Sequence, residues 1–193
     1  MECYNKQQYN VKKNFYRIKL GISQFSNYPF LNFIWVLITV GTVLLVNGKG
    51  KIVDMLYTTP QLTPIINVCL NFLLVFIPVI ISISIIQGIG ELTARKDEAD
   101  LMFVFDKKEL INGCPILIYK RTLKNGVTIR EFYSKIPMSR WRERKETLAD
   151  VFNVHFVGEI EYGGKSNGNR ILIKTAKGRK AKDRGVLYDD TFK

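Results

Sequence analysis

The chain has 193 residues, 47% of them hydrophobic, and carries 29 Lys and Arg against 17 Asp and Glu for a net charge of +12 at pH 7. Three cysteines and one histidine exclude a dense disulfide framework and a metal or catalytic centre built on several histidines. So basic a balance points to anionic lipid or nucleic acid as partner, and charge alone does not separate the two.

Residues 1–28 form a basic arm, with Lys6, Lys12, Lys13, Arg17 and Lys19 against Glu2. Two apolar stretches follow, Phe30 to Val46 and Ile65 to Ile89, and neither contains Asp, Glu, Lys, Arg or His. They are 17 and 25 residues long. At about 1.5 Å per residue each can cross a hydrocarbon core about 30 Å thick. A buried helix of a soluble domain would be shorter and would show a polar stripe. Asn32, Asn67, Asn71 and Pro78 fit lipid poorly, and hydrogen bonding between helices is the ordinary way to accommodate Asn there, which argues for a paired hairpin. No small-residue cleavage site follows the first stretch, so it does not read as a signal peptide. The loop from about Asn47 to Thr63 holds only Lys49, Lys51 and Asp54, so the positive-inside rule puts both termini in the cytoplasm and this loop outside. Cys3 and Cys114 then fall on the reducing side and Cys69 within the second span, so no disulfide is expected.

Residues 29–90 are thus predicted to be a two-helix transmembrane hairpin. Gly88 and Gly90 are expected to break its second helix, with residues 91–100 as a charged connector, a helical extension at the membrane surface. A small α+β cytoplasmic module is predicted over 101–176. Its first strand is the apolar run Leu101 to Phe105 and its second Pro115 to Lys120. Lys124-Asn125-Gly126 gives a hairpin turn and Val127 to Tyr133 the returning strand. Ser139 caps an amphipathic helix that presents Trp141, Lys145, Leu148, Val151 and Phe152 on one face. Asn153 to Tyr162 reads as a strand, Gly163 to Gly168 as a loop, and Ile171 to Ile173 as the last strand.

Gly164-Lys165-Ser166 invites a phosphate-loop reading and fails on spacing, since the required earlier Gly falls on Glu159, with Gly158 one residue too far. A phosphate loop also opens a helix, whereas the following residues alternate like a strand. His155 lacks a second His, a Cys pair or an acidic cluster at ligand spacing, so it reads as structural. Ser139, Cys114 and the scattered carboxylates have no assembled partners; no catalytic residues, metal ligands or cofactor site are predicted. From Glu91 onward there are 22 Lys and Arg against 15 Asp and Glu, and Lys165 to Arg184 alone supplies eight positive charges against Asp183. Lys174, Lys177, Arg179, Lys180, Lys182 and Arg184 are the candidate contacts, to DNA phosphates or to the anionic inner leaflet, within or beside a basic tail over 177–193. Aromatic interleaving typical of single-strand binding is absent, because Tyr188 and Phe192 lie outside the cluster.

Cys114-Pro115-Ile116-Leu117-Ile118-Tyr119, Gly126 to Phe132, Ile136-Pro137, Arg144 to Gly158, Lys177 to Lys180 and Arg184 to Asp190 together resemble the segment preceding the motor in FtsK/SpoIIIE-family DNA translocases. The pattern resembles in particular the TcpA-like conjugation coupling proteins, and two N-terminal spans also fit that family. The resemblance implies a membrane anchor and assembly module for DNA translocation in conjugation by a mobile genetic element. The family's Walker A and Walker B motor is expected after Asp190, where this chain ends, so the implied piece lacks ATPase activity of its own. Implied partners are membrane lipid, DNA, further copies of the chain and an ATPase motor; the implied location is a bacterial cell membrane, multi-pass, with both termini cytoplasmic. The rival reading is a standalone membrane scaffold or regulator whose basic tail binds anionic lipid and whose module binds a protein. A channel or transporter is disfavoured because neither span carries a charged residue to mark an ion path.

Overall fold

The computed structural model describes residues 2–55, 62–164 and 168–178, and the chain divides into two compact units, Met1–Lys96 and Asp97–Lys193. In the first unit, α1 (Glu2–Asn27) leads through a 3-10 turn (Pro29–Asn32) into α2 (Phe33–Met55), and after residues outside the described set α3 (Thr63–Val104) begins. Pro29 stands at the start of the turn, where its missing N–H costs no hydrogen bond. The basic arm is therefore one long helix, which charge counting alone did not anticipate. Leu20 and Ala94 are fully buried, and Arg17 and Gln24 nearly so.

Gly88 and Gly90 do not end the second apolar helix; α3 runs through both for 42 residues. Gly90 has a packing role instead. A Cβ there would stand 2.0 Å from the carbonyl oxygen of Arg17, and one on Gly21 would stand 2.0 Å from that of Ile86. The absent side chains let α1 and α3 touch backbone to backbone, antiparallel, since 17 meets 90 while 21 meets 86.

The second unit is a helix-covered antiparallel sheet, with β1 (Ile116–Thr122), β2 (Val127–Tyr133), α4 (Met138–Glu143), α5 (Lys145–Phe152), β3 (Val154–Phe156), β4 (Glu161–Tyr162) and β5 (Arg170–Lys177). The strand order is β1-β2-β5-β3, with β4 also on β5. The predicted last strand is thus central and longer than expected. The β1–β2 hairpin closes at the expected turn: Gly126 has φ +79°, the Val127 N–H donates to Asn125 Oδ1 and the Leu123 N–H to the Val127 carbonyl.

Leu101 to Phe105, expected as a strand, is instead the end of α3 and the residue after it. Asp97, Glu98, Leu101, Val104 and Phe105 are its buried positions, a three-four spacing that marks a helix face. A short apolar run has the same composition in either state. Here two carboxylates occupy inward positions, which disguised the period. The single expected helix is split at Arg144 (φ −93°, ψ 15°), and Ser139 makes no cap; Pro137 holds that position without a side-chain hydrogen bond. Arg144 turns toward α3, donating to the Val104 carbonyl at 2.9 Å and to Asp106 at 2.6 Å. The expected strand over 153–162 is two short pieces, because Val157 to Ile160 interrupts it with Gly158 at φ +97°.

Alternation on β2 and β5 turns Arg130, Phe132, Ile171, Ile173 and Thr175 to the helix-covered face. Trp141 is wholly buried there, its ring centroid 4.9 Å from Phe105 and 5.6 Å from Phe132. Its indole N–H donates to Ser134 Oγ at 3.3 Å, so the largest core residue brings no unpaired polar atom with it.

Candidate functional site

Two features of the first unit bear on function. Helices over Pro29–Val53 and Pro64–Val104 are long and apolar enough to cross a membrane, and none of either one's most apolar 18-residue window is buried. Leu44 is 66% exposed and Val75 64%. Three hydroxyls along these helices are satisfied within the chain: Thr39, Thr42 and Ser82 donate to the carbonyls of Trp35, Ile38 and Pro78 one turn back. Lys49 Nζ donates to Asn71 Oδ1 at 2.7 Å, a bond between α2 and α3 of the kind expected for the asparagines.

The second feature is an ionic contact further along α3. Arg17, 1% exposed, donates through Nε to Glu91, and Lys13 Nζ lies 3.8 Å from the same carboxylate. Asn71 and Glu91 are twenty residues apart on α3, about 30 Å along its axis, the thickness of a hydrocarbon core. Sequence reading missed Arg17 and Glu91 as a pair; an acid directly after a charge-free run, with a basic segment available upstream, is the signal that could have found it.

In the second unit, the residues singled out from sequence separate. Lys174 lies on β5 with its Nζ 3.2 Å from Glu161. Lys177 is the last residue of β5 and exposed. Arg179, Lys180, Lys182 and Arg184 lie outside the described residues, as do Lys165 and Ser166. The elements flanking Gly164-Lys165-Ser166 are β4 and β5, and the Gly163 N–H bonds the Arg170 carbonyl, a hairpin closure and not a helix opening. His155 donates from Nδ1 to the Gly178 carbonyl at 2.8 Å, a structural task at the end of β5.

A buried charge cluster went unseen in the sequence. Asp97 accepts from Arg130 Nε at 3.1 Å and pairs with Lys120 Nζ at 2.8 Å. Arg130 also donates to Thr175 at 2.6 Å and stands 5.3 Å above the Phe152 ring. Each charge is engaged, which suits a cross-brace between α3 and the sheet better than a reacting group. On the surface, hydrogen bonding from Lys145 holds the Glu159 carboxyl below its usual range, and Glu143 raises the Arg140 guanidinium. Among the described residues no three His, Cys, Asp or Glu side chains converge to hold a metal.

No protein-family model matches the chain, and no curated protein matches it. A solved structure, that of the pCW3 conjugation coupling protein TcpA in a monomer form with ATPgS, matches at 23% identity with a TM-score of 0.37. The match covers 43% of this chain and 24% of that one.

Proposed function

We propose that the chain is a membrane-anchoring and assembly module for DNA translocation of the FtsK/SpoIIIE kind, as in a conjugation coupling protein, with the hairpin α2–α3 in the bilayer and both termini in the cytoplasm. The observation that carries the anchor is the pair of helices whose hydrocarbon-length apolar windows are uncovered. Lipid is the solvent that suits such surfaces, and the polar contacts near Asn71 and Glu91 suit the two edges of its hydrocarbon core. The translocase assignment rests on the sequence resemblance from Cys114 onward. The module contributes no nucleotide hydrolysis in this reading, supported by Glu159 in the place of the required glycine and by the strands around Gly164. Engagement of DNA falls to the basic segment from Lys177, and force to a motor partner.

Cysteine labelling in intact cells tests the anchor. Cys3 and Cys114 should resist an impermeant thiol reagent, while a Tyr57→Cys substitution should react. Labelling of Cys114 from outside would reverse the topology and remove the cytoplasmic role.

A further inference from the structure

Helix α1 has two faces. One carries Arg17, Leu20, Gly21 and Gln24, all buried, and meets α3 at Ile86 and Gly90. On the other side Val11, Phe15, Ile18 and Ile22 recur at steps of four, three and four, which holds them within an arc of about 60°. Val11 and Phe15 are each 64% exposed and Ile22 is 56% exposed. Lys12 and Lys19, also exposed, run along one border of this stripe.

We propose that this second face is a lipid-docking surface: where α1 runs antiparallel beside α3 through the leaflet boundary at the Glu91 end, Phe15, Ile18 and Ile22 meet acyl chains, Val11 stands at headgroup level, and Lys12 and Lys19 reach anionic phosphates. The inference rests on the anchor reading of α2 and α3. Three observations commit the face to lipid. Glu2 is the only acid in the first 28 residues, so the surface complements a negative leaflet. Exposed apolar side chains also follow next in the chain at Tyr28, Phe30 and Phe33, exposed by 45%, 72% and 64%, leading into the membrane-length helix. Finally, the Gly21–Ile86 and Arg17–Gly90 contacts fix α1 beside the last turn of a charge-free run that ends at Ile89. An apolar stripe bordered by lysines, crossing the level where hydrocarbon ends, offers side chains to the acyl region and lets the lysines snorkel to phosphates.

The test uses the full chain with Cys3, Cys69 and Cys114 replaced by Ser and a single new cysteine at Phe15, Asn10 or Val40, labelled with a polarity-sensitive fluorophore. It is reconstituted in phosphatidylglycerol–phosphatidylcholine vesicles containing nitroxide lipids of known depth. The Phe15→Cys label should be quenched by shallow nitroxides and shielded from acrylamide. Asn10→Cys, exposed off the stripe, should be open to acrylamide, and Val40→Cys should be quenched by deep nitroxides. Adding Lys12→Ala and Lys19→Ala should lower the shielded-to-open ratio at Phe15 by roughly tenfold to thirtyfold, since each lysine near an anionic surface contributes severalfold. Four results overturn the proposal in whole or in part. A Phe15 label open to water while Val40 stays in hydrocarbon removes the docking face and leaves the anchor standing. Shielding of Phe15 without quenching from either depth means a protein surface covers the stripe. A Val40 label open to water removes the anchor and the docking face together. Equal shielding in pure phosphatidylcholine overturns the role given to the lysines.

Discussion

Asp97 is 2% exposed, and one of its oxygens faces both Arg130 Nε at 3.1 Å and Lys120 Nζ at 2.8 Å. Taking such charges out of water is costly, and the geometry recovers that cost only while all members are present. Asp97→Ala leaves Arg130, itself 8% exposed, beside Thr175 with no acid to answer it. The expected loss is about 3 to 5 kcal/mol of stability in the α+β unit, read from denaturant unfolding by Trp141 fluorescence in a Trp35→Phe background. Pairing it with Arg130→Met should restore a large part, because an apolar replacement of both partners is often neutral. Equal instability of the single and double variants would mean that packing of the arginine stem, and not the uncompensated charge, holds this corner. Glu98 adds to the same seam by accepting the Leu117 N–H at 2.9 Å, which ties β1 to α3. Neither carboxylate announces itself in the sequence, where both sit in an ordinary-looking charged run.

Elements were legible where their signal is local. The Asn125-Gly126 turn needs a positive φ and has it, so the β1–β2 hairpin follows from two residues. Apolar length alone marks α2 and α3. Helix ends and breaks were not legible, because they answer to partners distant in sequence: Arg144 splits the α4–α5 segment by reaching Val104 and Asp106, and Gly90, within α3, serves a close approach, since Arg17 occupies the space a Cβ would take. That contrast separates two neighbouring glycines experimentally. A Cβ on Gly88 meets nothing within 4 Å, whereas one on Gly90 strikes backbone. Gly90→Val should push α1 off α3 at a cost of about 1 to 3 kcal/mol, seen as a lower unfolding midpoint and faster tryptic cleavage within α1 in nanodiscs. Gly88→Val should stay close to the parent protein. Matching behaviour of the two variants would sink the account of the crossing. Of the candidate site, the sequence marked the charged segment but not its division: β5 carries Lys174 into an ion pair with Glu161 and leaves Lys177 exposed at the strand's end.

At the scale of the whole molecule, charge is sorted along the chain: the excess from Glu91 onward is +7, and Lys165 to Arg184 accounts for as much. In the proposed anchored arrangement a basic segment brings a polyanion to a fixed place, and DNA and anionic lipid make opposite demands on the same side chains. Salt dependence and competition distinguish them. If about four of these cations meet phosphates of duplex DNA, counterion release gives a log-log slope of roughly −3 to −4, a loss of about 50-fold to 250-fold over a fourfold rise in salt. The measurement is a fluorescence-anisotropy titration of the full chain in nanodiscs of neutral lipid. Lys177→Ala, Arg179→Ala, Lys180→Ala and Lys182→Ala combined should flatten the slope and weaken binding equally for unrelated sequences. Lys174→Ala should change the slope little, because its ammonium is already answered by Glu161. Absence of DNA binding at low salt, together with capture of the same segment by anionic nanodiscs, would transfer the basic end to the membrane and make the protein a lipid-tethered scaffold.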